Sequence, residues 1–153
     1  MRAFNKNRIS DLGFDSDDGL GRVSLSGGEV EQLLASLRYT DPQSHRAVCA
    51  AVRQVGAAAV PALARALRSP VLAIRQSAAR LLGQISPADV AIEDLTRAMD
   101  DSDWLVRMWS ADALARIGPT ARDAVPALRR AAEDTDHHVR ISAALAIQGI
   151  LRR

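Results

Sequence analysis

The stretch DSDWLVR at residues 101–107 returns as DTDHHVR at residues 134–140. Upstream, weaker versions of the pattern end in Arg75 and His45, so that a basic residue recurs at steps of 30, 32 and 33 residues. A period of this length is typical of stacked helical hairpins. The sequence therefore predicts a repeat protein, a class that usually presents an extended surface to another macromolecule rather than a single deep pocket.

Apolar residues on both sides of the basic residue follow a helical spacing. Before it they stand at i, i+3 and i+7, as in Val30, Leu33 and Leu37, and after it they resume at plus four, plus seven and plus ten. Each unit is therefore predicted to be a pair of amphipathic helices. We expect helices at about residues 29–38, 43–55, 58–68, 71–84, 88–99, 103–117, 121–132 and 136–151.

The predicted fold class is all-α, an α-solenoid of about four helical hairpins preceded by a non-repeat N-terminal arm at residues 1–28. The repeat domain covers residues 29–153. Alanine is frequent in the second helices, and its small side chain lets neighbouring helices stack closely. Gly56 and Gly118 stand where second helices should end, as a left-handed closing residue requires. The four units are expected at about residues 29–56, 57–86, 87–118 and 119–153.

The two quoted stretches resemble the HEAT-like repeats first recognised in phycobilisome (PBS) lyases, whose units read Asp-Pro-Asp-x-x-Val-Arg before an alanine-rich helix. The resemblance covers residues 29–153. It implies the α-solenoid architecture, but it says little about function, because such repeats occur in lyases, chaperones, scaffolds and regulators. It also implies structural roles for the acids and arginines: helix N-caps at Asp103 and Asp136, and a ladder between repeats at Arg75, Arg107 and Arg140.

Residues that break the repeat are the candidates for function. Trp109 stands at a position of the second helices that we expect to face outward and line the concave wall, where the other repeats carry Ala47, Ser77 and Ser142. Tryptophan near arginine is typical of an interface anchor. An alternative is that the tryptophans only cover the third and fourth repeats. The predicted concave binding patch consists of Trp109, Met108, Trp104, Arg116, Arg80, Ile141 and Leu145.

Both ends of the chain offer further candidates. The last helix should expose Ile141 and Leu145 without a charged cap, so that a partner protein or a second copy in a homodimer is expected to cover it. The N-terminal arm mixes glycine and acidic residues with apolar ones, and it is predicted to lie on the first hairpin or on a partner. Its candidate contact residues are Leu12, Phe14, Leu20, Val23 and Leu25.

The sequence argues against catalysis, and no catalytic residue, metal site or cofactor is predicted. No His-Glu pair repeats across the hairpins, and His137 and His138 are interpreted as a solvated turn, because adjacent side chains at a helix start should diverge. Cys49 is interpreted as a buried, inert thiol. Uninterrupted apolar runs are too short for a membrane span, and no secretory signal is evident, so that a cytoplasmic location is expected.

These observations favour a non-catalytic interaction module, a small adaptor, chaperone-like protein or assembly scaffold that binds a partner protein through the concave face, the arm or both. The alternative is an accessory subunit of a bilin lyase-type enzyme. A nucleic-acid binder is the weakest hypothesis. The net charge is only +2, and the predicted concave wall is basic in its first half and apolar in its second, whereas a phosphate backbone would call for basic residues in most repeats.

Overall fold

The computed structural model describes residues 25–39, 41–85 and 88–152, and this part of the chain contains helices and turns but no strand. The all-α solenoid predicted from the sequence is confirmed. Of the predicted arm residues, Leu25 is half-buried and packs against the core. The others lie outside the described residues: Leu12, Phe14, Leu20 and Val23.

Eight α-helices in the described residues form four consecutive hairpins. The first helices of the last three hairpins are shorter than predicted, because 3-10 turns at Gly56–Ala59, Asp89–Ala91 and Gly118–Ala124 form their openings. The pairs are α1 (Gly27–Ser36) with α2 (Pro42–Val55), α3 (Val60–Ala66) with α4 (Leu72–Leu82), α5 (Ile92–Ala98) with α6 (Trp104–Ile117), and α7 (Val125–Ala131) with α8 (His137–Leu151).

The first helix begins two residues before the predicted position, because a capping box precedes it. The Oγ of Ser26 accepts the backbone N–H of Glu29 at 3.4 Å, and the Glu29 carboxylate accepts the backbone N–H of Ser26 at 2.8 Å. This reciprocal pair satisfies two N–H groups at the helix start. Residues 26–28, predicted to belong to the arm, therefore form the N-terminus of α1.

Close stacking of the second helices builds the core. Helix α6 packs against both α4 and α8, and alanines such as Ala79 and Ala111 are fully buried between them. The second residue after each basic one was predicted to face outward, and this prediction was wrong in two repeats. Ser77 and Ser142 were expected to face outward, but both are buried, since this position lies towards the neighbouring second helix.

One apolar segment, Pro42–Ala66, is long and apolar enough to span a membrane by length and composition, with a mean hydropathy of 1.5. The sequence analysis predicted no membrane span because it considered only uninterrupted apolar runs. A segment with a high average hydropathy that contains a few polar residues is not found in that way. Gly56, with a φ of +67°, ends α2 inside this segment, and Val48, Val52 and Leu63 are buried in the core. The packing of two solenoid helices therefore accounts for its apolar composition.

For two glycines of the later repeats, substitution with alanine is predicted to change stability in opposite directions. Gly118 ends α6 with a φ of +75° and a ψ of −141°, a conformation that disfavours any side chain, so Gly118→Ala should lower the free energy of unfolding by about 2 kcal/mol. Gly149 lies inside α8, and an added Cβ would meet only the Ala115 carbonyl oxygen at an ordinary 3.8 Å. Gly149→Ala should therefore raise stability by about 0.5 kcal/mol.

Urea unfolding of the two alanine variants measures these changes. A Cβ on Gly118 would meet nothing within 4 Å, and one on Gly149 would make only an ordinary contact, so that the comparison isolates backbone conformation from steric clash. Equal effects of the two substitutions would contradict the positive φ at Gly118.

Candidate protein-binding surface

A ladder of arginine–carboxylate pairs joins successive repeats along one edge. Arg75 of α4 donates to both carboxylate oxygens of Asp101, at 2.8 and 3.2 Å, and to the carbonyl oxygen of Ser69 at 3.0 Å. One repeat later, Arg107 donates to both oxygens of Asp134, at 2.7 and 2.8 Å. Each arginine thus ties its own helix to the turn inside the next hairpin, just before the second helix of that hairpin.

The second rung is well shielded from water. The side chains of Arg107 and Asp134 are 14% and 11% exposed, which strengthens a bidentate, charge-assisted contact. The hydrogen bond from Arg107 holds the pKa of the Asp134 carboxyl below its usual range, and the same bond raises the pKa of the guanidinium.

The two acids of each Asp-x-Asp stretch have different structural roles. The second acids cap helices: Asp103 accepts the backbone N–H of Val106, and Asp136 accepts that of His138. The first acids, Asp101 and Asp134, receive the arginines and also accept the backbone N–H of the cap residue, at 2.9 Å in each case. The sequence interpretation assigned the caps and the arginines but not these acceptors, although an acid two places before each cap was a visible signal.

The ladder is open at its last rung. Arg140, which occupies the same place in α8, donates to the carbonyl oxygens of Asp134 at 2.8 Å and Thr135 at 3.0 Å. Within the described residues no carboxylate reaches its guanidinium, because no repeat follows it there. Arg140 is correspondingly exposed.

The first repeat replaces the arginine with His45, whose Nε2 lies 3.2 Å from the Oγ of Ser77 in the next repeat. Burial lowers the pKa of His45, and the positive charge of Arg80 adds to the effect. The histidine therefore joins the first two repeats through this contact, and within residues 25–39, 41–85 and 88–152 it forms no ion pair.

Arg80 and Trp109, both predicted for the patch, contact each other. The guanidinium carbon of Arg80 lies 5.8 Å from the centroid of the Trp109 ring, a cation–π distance. The same guanidinium approaches the sulfur of the buried Cys49 at 3.5 Å. Both Trp109 and Met108 are half-buried against the core, and the Arg80 contact joins Trp109 to the second repeat.

Trp104 lies elsewhere, in a ring cluster at the starts of α6 and α8. Its indole stacks on the His138 imidazole with centroids 5.3 Å apart, and the His137 and His138 rings are 3.7 Å apart. The expectation that these two histidines diverge was therefore wrong. The reason is that Trp104, reaching over from the preceding hairpin, offers His138 a flat apolar surface.

Two exposed, large apolar side chains share one face of α8, and a third lies on another side at its last turn. Ile141 and Leu145 are 55% and 58% exposed, and Leu151 is 39% exposed. One turn apart, Ile141 and Leu145 share a face of the helix. Arg116, the remaining predicted patch residue, lies at a groove of about 380 Å³ that also contains Asp89 and Gln84. The structure thus divides the predicted patch among the Arg80–Trp109 contact, the Trp104 cluster, the groove and the α8 face.

Sequence comparison decides the family. The profile described as HEAT repeats matches residues 30–115 and 92–151. The chain belongs to the HEAT-repeat family. No curated protein matches it in sequence.

Solved structures place this HEAT-repeat chain beside both enzyme subunits and engineered proteins. It is similar to a chain of the complex of CpcE and CpcF of phycocyanin lyase from Nostoc sp. PCC7120, with a TM-score of 0.71 and 22% identity, covering 81% of this chain and 79% of that one. An engineered protein matches with a TM-score of 0.62 and 23% identity, over 93% and 77% of the two chains. At these identities the likeness shows the fold alone.

Human deoxyhypusine hydroxylase matches with a TM-score of 0.64 and 27% identity. The match covers 82% of the HEAT-repeat chain but only 43% of the hydroxylase. The predicted resemblance to lyase-type HEAT repeats is confirmed, and the architecture supports a repeat scaffold.

Proposed function

We propose that this HEAT-repeat protein is a non-catalytic adaptor that binds a partner protein through the exposed face of α8. The observation that carries the proposal is the apolar pair Ile141 and Leu145, each more than half exposed. Scattered apolar residues are normal on a protein surface, but neighbouring ones on one helical face are typical of interaction sites.

Comparison of the four second helices supports this assignment. The fourth residue after the basic position is buried in the first three repeats, at Cys49, Ala79 and Ala111. Its counterpart Ala144 is exposed in α8. Because α8 carries the same kind of stacking face without a following helix in the described residues, it offers a surface already shaped to receive a helix.

Charge indicates what kind of partner would fit. Arg75 and Arg107 each bind a carboxylate of the next repeat, whereas Arg140 binds only backbone carbonyl groups among the residues that the structure describes. A partner with an acidic side chain near its own docking helix would complete this rung. A helix that combines an apolar stripe with a flanking carboxylate is therefore the preferred partner surface.

A second copy of the chain fits the same face less well. In a two-fold dimer, two α8 helices would face each other over the apolar stripe. Arg140 and Arg152 lie at the two ends of that face. In such a dimer each of them would face either Arg140 or Arg152 of the second copy. Like charges at these places oppose a homodimer, so that the proposed partner is a different protein. Sedimentation equilibrium of the purified chain tests this, and we expect a monomer.

Affinity purification from the native host tests the proposed function. We expect a partner that is recovered with the wild-type chain and reduced about tenfold or more by Leu145→Glu, which places a charge in the centre of the face. Val90→Glu is the matched control, because Val90 is 73% exposed and lies outside α8. Recovery that is equal for both variants would contradict the proposed face, and failure to recover any partner would contradict the function.

A shortened chain tests the contribution of the N-terminal arm. It should begin at Leu25, because removal of residues 1–28 would also remove Ser26, the N-cap of α1. Loss of the partner from this form, with an unchanged circular dichroism spectrum, would assign the arm a binding role. Unchanged recovery of the partner would mean that the repeats alone form the contact with it.

An accessory subunit of a bilin lyase-type enzyme remains our alternative proposal. It is supported by the lyase-type repeat sequence and by the similar fold of the phycocyanin lyase chain. Mixing the purified chain with a tetrapyrrole and a lyase subunit, and recording the absorption spectrum, tests it. An unchanged spectrum would contradict this alternative and leave the adaptor proposal intact.

A further inference from the structure

We propose that Asp136, His137 and His138 form a binding site for a divalent transition-metal ion at the start of α8. Each residue offers one ligand atom, and the three atoms lie within 4.8 Å of one another. The Nδ1 of His138 is 3.4 Å from the Oδ1 of Asp136, and the two imidazole rings are 3.7 Å apart between centroids. This inference rests on different residues from the proposed function and does not depend on it.

The ligand types favour Zn²⁺ or Cu²⁺ over Mg²⁺ or Ca²⁺. Imidazole nitrogen suits the later first-row metals, whereas Mg²⁺ and Ca²⁺ prefer sites made of oxygen atoms. Three protein ligands leave room for a water molecule in the fourth position of a tetrahedral ion. Both histidines are exposed, so that an ion can reach them from solvent.

The carboxylate is held in place before any ion arrives. The Oδ1 of Asp136 accepts the backbone N–H groups of His138 at 2.8 Å and Val139 at 3.4 Å. These capping bonds restrict the carboxylate to the side of the helix start where the imidazoles lie. The negative charge of Asp136 also offsets the positive end of the α8 dipole, which would otherwise oppose a cation.

Trp104 restrains the second imidazole and reports on it. The indole stacks on His138 at 5.3 Å with an angle of 28° between the rings. This contact limits the rotation of His138 and so reduces the conformational freedom that metal binding must remove. It also places a fluorescent side chain beside the proposed ion.

Fluorescence titration tests the site. In Trp109→Phe, Trp104 is the single remaining tryptophan, and Cu²⁺ bound to His138 should quench its emission. We expect saturable quenching at one ion per chain, reversed by a chelator. In the same background, His137→Ala and His138→Ala should each raise the dissociation constant about tenfold or more. Zn²⁺ binding should follow the same order in calorimetry.

Two further variants separate metal binding from folding. Asp136→Asn keeps a good N-cap side chain but loses the negative charge, and it should weaken Cu²⁺ binding while the melting temperature without metal stays nearly unchanged. His45→Gln removes the one histidine outside the cluster and should leave the titration unchanged. Quenching that does not saturate, or that persists equally in His137→Ala and His138→Ala, would overturn the proposal.

Discussion

Replacement of Arg107 with alanine is expected to lower the free energy of unfolding by about 3 kcal/mol. The change leaves Asp134 as a carboxylate that is 11% exposed and has lost both of its guanidinium bonds. Such a group keeps its desolvation penalty without the attraction that offset it. Chemical denaturation of the purified chain, followed by circular dichroism, measures the loss.

Arg140→Ala is the matched control for this substitution. Arg140 occupies the equivalent place in α8 but, in the described part of the chain, donates only to carbonyl oxygens, and it is exposed. We expect its removal to cost about 0.5 kcal/mol. Similar losses for the two variants would mean that the arginines contribute through their bonds to carbonyl oxygens of the turn rather than through the ion pair between repeats.

The same rung gives the chain a defined response to acid. Because Arg107 lowers the pKa of Asp134 in the folded state, this carboxyl contributes stability above its unfolded pKa, which is near 3.8. That contribution is lost as the pH falls through the lower, folded value. Between pH 5 and pH 2 the wild-type chain should therefore lose more stability than Asp134→Asn, in which this carboxyl is absent.

The repeat period was sufficient to predict the fold, because the sequence within each repeat determines its helices and their pairing. The spacing of Val30, Leu33 and Leu37 defines a helix, and the recurrence of Arg75, Arg107 and Arg140 sets the length of the hairpin. Stacking then follows from the buried alanines. Helix starts were less accurate where a 3-10 turn preceded the helix, because the two conformations share almost the same apolar spacing.

The faces of the second helices were harder to predict. Ser77 and Trp109 occupy equivalent places, yet Ser77 is buried and Trp109 is half-buried. Which side chains lie between neighbouring second helices depends on how one hairpin is rotated against the next, and a sequence period contains no such angle. In α8 the exposure of Ile141 and Leu145 was predicted correctly, whereas Ser142 of the same helix is buried.

The close approach of His137 and His138 was not predicted from the sequence, for a different reason. The expected divergence of His137 and His138 considered one helix alone. Trp104 comes from the previous hairpin, 34 residues before His138, and its stacking contact lies across the junction between repeats. Contacts of this kind are visible only after the hairpins are placed side by side.

Leu114→Ala is expected to cost about 3 kcal/mol of stability, the second large effect. Leu114 is fully buried in α6, and α6 packs against both α4 and α8. The cavity would therefore loosen contacts on two sides of one helix. In a solenoid, stability is the sum of the repeats and of the junctions between neighbours, so that a defect in an inner helix weakens more than one unit.

Leu145→Ala deletes the same atoms from an exposed position. Leu145 is 58% exposed, and its loss should change stability by no more than about 0.5 kcal/mol. Urea unfolding of both variants measures the difference, which should be at least about 2 kcal/mol. An equally large loss for Leu145→Ala would mean that the α8 face is covered in solution, either by a second copy or by another segment of the chain. Sedimentation at several protein concentrations distinguishes these two, because only association of copies depends on concentration.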